Sequence, residues 1–96
     1  MSRQRVRMTV VFRGQVQGVG FRYTACELAA AFPVSGAVEN LPDTTVRLAA
    51  EGPKEACEAF AEALRTRMAR FIRGEEVVWG RRRGWSRGSG FCAEGP

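Results

Sequence analysis

The residues best suited to chemistry lie in the segment RGQVQGVGFRY, residues 13–23, where three glycines precede an arginine. Glycine takes positive φ values without steric cost and lets a ligand approach the backbone closely. A glycine-rich turn that leads into a helix can point several backbone N–H groups into one concavity, which suits a tetrahedral anion. Arg22 adds a planar guanidinium that can donate two parallel hydrogen bonds to phosphate oxygens. The segment therefore has the residue types that a phosphate-binding loop requires.

This loop does not match the common phosphate-binding motifs. A Walker loop requires Gly-Lys-Ser/Thr, but Gly20 is followed by Phe21 and Arg22. The dinucleotide-binding fingerprint requires a further glycine at the position of Tyr23. Residue types alone therefore leave two interpretations open, a phosphate-binding loop and a surface loop with a solvated arginine.

The elements that position this loop follow from the apolar pattern. Alternating and β-branched residues predict strands at residues 6–12, 34–40, 45–51 and 75–81, with a short fifth strand at residues 90–93. One helix is predicted from Phe21 and ends before Pro33, and a second begins at Gly52-Pro53. Helical spacing gives the apolar stripes Phe21, Ala25, Leu28, Ala29 and Phe32, and Cys57, Phe60, Ala61, Leu64 and Met68.

The order βαββαβ predicts a ferredoxin-like, split βαβ α+β sandwich. Its antiparallel sheet has four to five strands and two helices packed on one face. In this topology the first and second strands run parallel, with the third strand antiparallel between them. The carboxyl ends of the first two strands then meet at one sheet edge. The glycine loop and Asn40 occupy these two ends, so we expect them to face each other.

Three segments carry a family resemblance. The run GQVQGVGFR closely resembles the acylphosphatase signature G-x-V-Q-G-V-x-F-R. The segment SGAVENLPDTTVRLAAEGP is similar to the family's G-x-V-x-N, followed by a turn, a strand and a Gly-Pro helix start. The stretch ARFIRGEEVVW resembles the family's approach to strand four. Together they cover residues 6–80 in the family's order.

The resemblance implies a metal-independent enzyme without a cofactor, which hydrolyses the carboxyl–phosphate bond of small acyl phosphates to carboxylate and inorganic phosphate. By position, Arg22 matches the family's phosphate-binding arginine and Asn40 matches the asparagine that orients the attacking water. The backbone amides that match the phosphate cradle belong to Gln17, Gly18, Val19, Gly20 and Phe21. We interpret Val16, Val19 and Phe21 also as core anchors, and expect Gln17 to contribute only its backbone.

One departure concerns the turn after Asn40. The family commonly has Asp-Gly-Ser/Thr there, whereas this chain has Asp43, Thr44 and Thr45. A β-branched residue fits a positive φ poorly. We therefore expect a rearranged turn.

Composition limits the remaining possibilities. Ninety-six residues predict one domain over residues 1–96, and a net charge of +5 favours anionic partners such as an acyl phosphate or inorganic phosphate. Without an apolar run of about 18 residues we expect a cytoplasmic protein without a membrane partner, and we expect a monomer. The three cysteines are widely spaced and the chain has no histidine, which predicts free thiols and no zinc site.

Two other functions stay open at this stage. One is a non-catalytic or carbamoyl-phosphate-handling module, of the kind found at the start of hydrogenase-maturation proteins. The other is an arginine-rich nucleic-acid binder, since residues 80–88 place arginines around Trp85. Exposed aromatics on the sheet would be needed for the second, and strands one and three offer only Phe12. We therefore expect no nucleic-acid partner.

Overall fold

The computed structural model describes residues 5–81, which form four strands and two helices in the predicted order. They are β1 (Arg5–Gly14), α1 (Phe21–Ala29), β2 (Ser35–Asn40), β3 (Val46–Pro53), α2 (Lys54–Arg67) and β4 (Ile72–Arg81). Neither described helix is long and apolar enough to cross a membrane. The predicted fifth strand at residues 90–93 lies outside the described residues.

The sheet has the strand order β2-β3-β1-β4, and β3 is antiparallel to both of its neighbours. Strands β1 and β2 are therefore parallel, as predicted, and end at the same edge. Val46 at the start of β3 pairs with Phe12 on one side and with Asn40 on the other. Since neighbouring strands lie ~4.8 Å apart, Asn40 and the end of β1 are only about 10 Å apart.

Alternate side chains of the central strands form the core. Met8, Val10 and Phe12 on β1 are at most 1% exposed. The residues of β3 on the same face are also buried, namely Val46, Leu48 and Ala50. So is the whole predicted apolar stripe of α2, which consists of Cys57, Phe60, Ala61, Leu64 and Met68. Burying a large apolar side chain contributes about 1.5–3 kcal/mol. This packing gives the loop and Asn40 a rigid base.

The ends of the helices differ slightly from the prediction. Helix α1 begins at Phe21 but ends at Ala29, before the predicted limit at Pro33. The N–H groups of Ala31 and Phe32 donate to carbonyls three residues back, at 3.0 Å each, so the chain tightens into a turn. Pro33 favours this ending because it disfavours the α conformation of Phe32. Pro53 occupies the N-cap position, immediately before the first residue of α2, rather than a position in its first turn.

The cysteines only partly follow the prediction of free thiols. Cys57 is free and fully buried, and burial raises the pKa of its thiol to about 11. The prediction is wrong for Cys26, which is disulfide-bonded. Cys92 itself lies outside the described residues.

Candidate active site

The loop between β1 and α1 is anchored at several points to the core. Val16 is completely buried, and Val19 packs partly buried against the core. The Phe21 ring, 2% exposed, packs against Phe12 with 5.1 Å between ring centroids. These contacts confirm the predicted core anchors. They fix the loop near its middle and at the start of α1.

Two glycines set the path of the loop. Gly18 has a φ of 79° and Gly20 a φ of 80°, both in the left-handed region. A Cβ atom at either position would meet nothing within 4 Å, so the backbone conformation rather than a lack of space favours glycine there. The open side of the loop is thus free of steric obstruction by neighbouring atoms.

The N-terminus of α1 is well suited to an anion. Gly20 is its N-cap, no side chain caps it, and the first turn contains no acidic residue. The first N–H groups of a helix have no intrahelical acceptor and carry the positive end of the helix dipole. The first helical hydrogen bond runs from the Thr24 N–H to the Gly20 carbonyl, at 2.9 Å. The amides that precede Thr24 can therefore donate to a bound anion.

One cavity brings most of the predicted site residues together. Its volume is about 210 Å³, and its lining is Gly18, Gly20, Phe21, Arg22, Tyr23 and Asn40. Arg22 is exposed and forms no ion pair with any carboxylate in residues 5–81. Glu27, which lies further along α1, accepts a hydrogen bond from the Tyr23 hydroxyl. The guanidinium beside the helix N-terminus and Asn40 therefore has no carboxylate partner among the described residues.

Gln17 and Val19 are the predicted site residues that do not line this cavity. The Gln17 side-chain amide donates to the carbonyl oxygens of Leu41 and Thr45, at 2.9 Å each. It therefore links the glycine loop to the turn that follows Asn40. The sequence predicted only a backbone role for Gln17, because both acceptors lie more than twenty residues further along the chain.

The turn after Asn40 is not rearranged as predicted, because Thr44 itself takes a left-handed φ of 75°. Local hydrogen bonds hold this conformation. The Asp43 carboxylate accepts from the Thr45 hydroxyl at 2.5 Å and from the Thr45 N–H at 3.2 Å. These bonds, the one from the hydroxyl above all, hold the pKa of Asp43 below its usual value. The Leu41 N–H closes the turn on the Thr45 carbonyl at 2.9 Å.

Comparison with known proteins decides the family. The profile named Acylphosphatase matches residues 8–85 of the chain. The chain belongs to the acylphosphatase family. A relative named acylphosphatase from Thermus thermophilus is 45% identical over an alignment of 80 residues, and the match covers 81% of this chain and 90% of the relative. Another from Acidothermus cellulolyticus is 39% identical over an alignment of 85 residues, and the match covers 84% of this chain and 81% of the relative.

Solved structures agree with this assignment. The acylphosphatase from Bacillus subtilis superposes with a TM-score of 0.74 at 28% identity, over 90% of this chain and 94% of the other. Full-length HypF, solved in its phosphate- and nucleotide-bound form, gives a TM-score of 0.75 at 22% identity, over 95% of this chain and 12% of HypF. The second likeness is one of fold alone. The predicted family, its ferredoxin-like fold and the prediction of an acyl phosphate hydrolase are confirmed.

A larger cavity of about 410 Å³ lies elsewhere on this acylphosphatase, and Arg7 and Arg47 belong to its lining. Both are paired within the sheet, Arg7 with Glu51 at 2.7 Å and Arg47 with Glu39. Their charges are thus compensated, unlike that of Arg22. We therefore assign the anion site to the smaller cavity.

Metal-binding side chains are not grouped in the described part of the acylphosphatase. Within residues 5–81, no three His, Cys, Asp or Glu side chains lie together in a way that could hold a metal ion. The cationic groups at the cavity are thus Arg22 and the helix N-terminus. Independence from metal stays a prediction.

Proposed function

We propose that this protein hydrolyses the carboxyl–phosphate bond of small acyl phosphates, with the phosphate held by loop amides and Arg22 and the water oriented by Asn40. The observation that carries the proposal is the single cavity that Arg22, Asn40 and two left-handed glycines share. Membership of the acylphosphatase family supports the reaction.

The phosphate end of the substrate has three sources of stabilisation in this proposal. The N–H groups from Gln17 to Phe21 donate to its oxygens, and the dipole of α1 adds positive potential. The Arg22 guanidinium donates two further hydrogen bonds in a planar arrangement. Because Arg22 has no competing carboxylate in the described chain, no ion pair must break before phosphate binds.

The reaction needs little more than positioning and charge stabilisation. Phosphoryl transfer proceeds through a loose transition state in most analyses, and a carboxylate is a good leaving group. Water oxygen bonds to phosphorus as the phosphorus–oxygen bond to the acyl group breaks, and the carboxylate leaves with the electron pair. Asn40 can accept from and donate to that water without acting as a strong base. We assign the water proton to a phosphate oxygen of the substrate.

The direct test is hydrolysis of benzoyl phosphate in the presence of EDTA, with inorganic phosphate as competitor. We expect turnover that chelation does not reduce, and competitive inhibition by phosphate. Turnover that disappears with EDTA and returns with a divalent ion would overturn metal independence. Inhibition by phosphate that is not competitive would overturn the assignment of the cavity.

The carbamoyl-phosphate alternative is tested in the same assay, with carbamoyl phosphate as a second substrate. The likeness to HypF, at 22% identity and over 12% of that protein, is one of fold and does not by itself favour this alternative. We expect carbamoyl phosphate to be a poorer substrate than benzoyl phosphate. A marked preference for carbamoyl phosphate would favour the alternative instead.

The nucleic-acid alternative loses the aromatic residue that strands β1 and β3 offered for stacking. Phe12, the aromatic residue that strands β1 and β3 offer, is completely buried in the core and cannot stack on a base. Most of the basic segment at residues 80–88 lies outside the described residues. The absence of a nucleic-acid partner, a cytoplasmic location, a monomeric state and a single domain over residues 1–96 stay predictions.

A further inference from the structure

The cavity has a wall that the phosphate-binding groups do not use. Tyr23 lines it and is 68% exposed, whereas the Phe21 ring beside it is 2% exposed and turned into the core. Tyr23 therefore presents the accessible aromatic surface among the lining residues. An exposed aromatic ring in the lining of a cavity is available for contact with a ligand.

The Tyr23 ring is held in place by its own helix. Its hydroxyl donates to the Glu27 carboxylate at 2.9 Å, one helical turn further along α1. This hydrogen bond and the charge of Glu27 raise the pKa of the Tyr23 phenol. The phenol is neutral at physiological pH, as an ordinary tyrosine also is, and it places no negative charge beside the phosphate site. The Glu27 carboxylate adds a negative charge at the hydroxyl end of the ring.

The position of the ring determines what it can contact. If phosphate lies against Gly18, Gly20 and Arg22, the rest of an acyl phosphate must leave the cavity along the remaining lining. That lining consists of Tyr23 and Asn40, with Phe21 buried. Asn40 is small and polar, whereas Tyr23 offers a flat apolar surface. Among the residues that line the cavity, Tyr23 is therefore the accessible apolar neighbour for an acyl group.

We propose that Tyr23 forms an acyl subsite that favours flat, apolar acyl groups such as benzoyl over small ones such as acetyl. This inference rests on the proposed function, since it requires the phosphate to occupy the loop. Contact between an aromatic ring and a flat apolar group changes an equilibrium by about three- to tenfold. The carboxylate of Glu27 makes the same subsite unfavourable for acyl groups that carry a second negative charge.

The test is the ratio of kcat/KM for benzoyl phosphate to that for acetyl phosphate. In Tyr23→Ala we expect this ratio to fall by about three- to tenfold, mainly through a higher KM for benzoyl phosphate. Tyr23→Phe keeps the ring and should retain most of the ratio. Trp79→Ala is the matched control, because Trp79 is an exposed aromatic residue, 39% exposed, outside this cavity. Its ratio should equal that of the wild type.

Two results would overturn the acyl subsite. One is an unaltered ratio in Tyr23→Ala, and the other is an equal loss in Tyr23→Phe and Tyr23→Ala. A change in inhibition by inorganic phosphate as large as the change in the ratio would place Tyr23 at the phosphate end instead. If the wild type hydrolysed neither substrate, the proposed function would fail. If the wild type hydrolysed both substrates and Tyr23→Ala left the ratio of kcat/KM unchanged, only the acyl subsite would fail.

Discussion

The loop between β1 and α1 and the turn between β2 and β3 meet at one edge of the sheet, and both contain left-handed backbone. In the loop, glycines adopt it, Gly18 with a φ of 79° and Gly20 with a φ of 80°. In the turn, Thr44 adopts it at 75°. The loop obtains its shape from residue type, whereas the turn obtains it from hydrogen bonds made by Asp43 and Gln17. The two halves of the site therefore differ in how firmly local sequence encodes them.

The largest effect is expected on the loop side of this comparison, from Arg22→Ala. Removal of one oxyanion-hole donor costs ~10²–10³ in rate, and by analogy we expect a loss of this size in kcat/KM together with weak inhibition by phosphate. Arg67→Ala is the matched control, since Arg67 is an exposed arginine in the last turn of α2. Phosphate inhibition that persisted unchanged in Arg22→Ala would contradict its role as the phosphate clamp.

On the turn side, Asn40→Ala should lower kcat by about 10- to 100-fold, because a poorly oriented nucleophile loses up to ~10² in rate. Inhibition by phosphate should change little, since the loop amides and Arg22 remain. Steady-state kinetics with phosphate as competitor separates the two quantities. Weaker phosphate binding with a normal kcat would show that Asn40 holds the phosphate rather than the water.

How well the sequence predicts each half depends on the range of the contacts involved. The glycine spacing and the strand order predict the loop and its proximity to Asn40, because both follow from local pattern and topology. The conformation of Thr44 was predicted wrongly. Local rules disfavour it, and the Gln17 amide that supports the turn comes from 24 and 28 residues away. Likewise the disulfide at Cys26 depends on distances that no spacing in the sequence gives.

Gln17 tests whether the two halves are coupled. Gln17→Met keeps the length of the side chain but removes both donors, leaving the carbonyls of Leu41 and Thr45 without this partner. Loss of such bonds costs about 1–3 kcal/mol in the free energy of unfolding. We also expect kcat to fall about three- to tenfold, because the weakened turn holds Asn40 less firmly in its position.

The control for this substitution is Gln15→Met in the same loop, where the side chain is exposed and the backbone N–H alone bonds to Phe71. It should leave kcat near the wild-type value. If both variants lost activity equally, the loop as a whole would be sensitive to methionine and no coupling to the turn would follow.

The smallest effect distinguishes the two sources of left-handed backbone. A non-glycine residue in this conformation costs ~1–2 kcal/mol, and glycine costs ~0.5–1 kcal/mol through the entropy of the unfolded chain. Thr44→Gly should therefore raise the free energy of unfolding by about 0.5–1 kcal/mol. Gly18→Ala should lower the free energy of unfolding by about as much. A Cβ atom at this position would meet no atom within 4 Å, so the main cost is the backbone strain of the left-handed conformation. Urea unfolding of both variants measures these two changes in the free energy of unfolding, which should have opposite signs. Destabilisation by Thr44→Gly would mean that the threonine side chain itself supports the turn, so that residue type encodes both halves of the site.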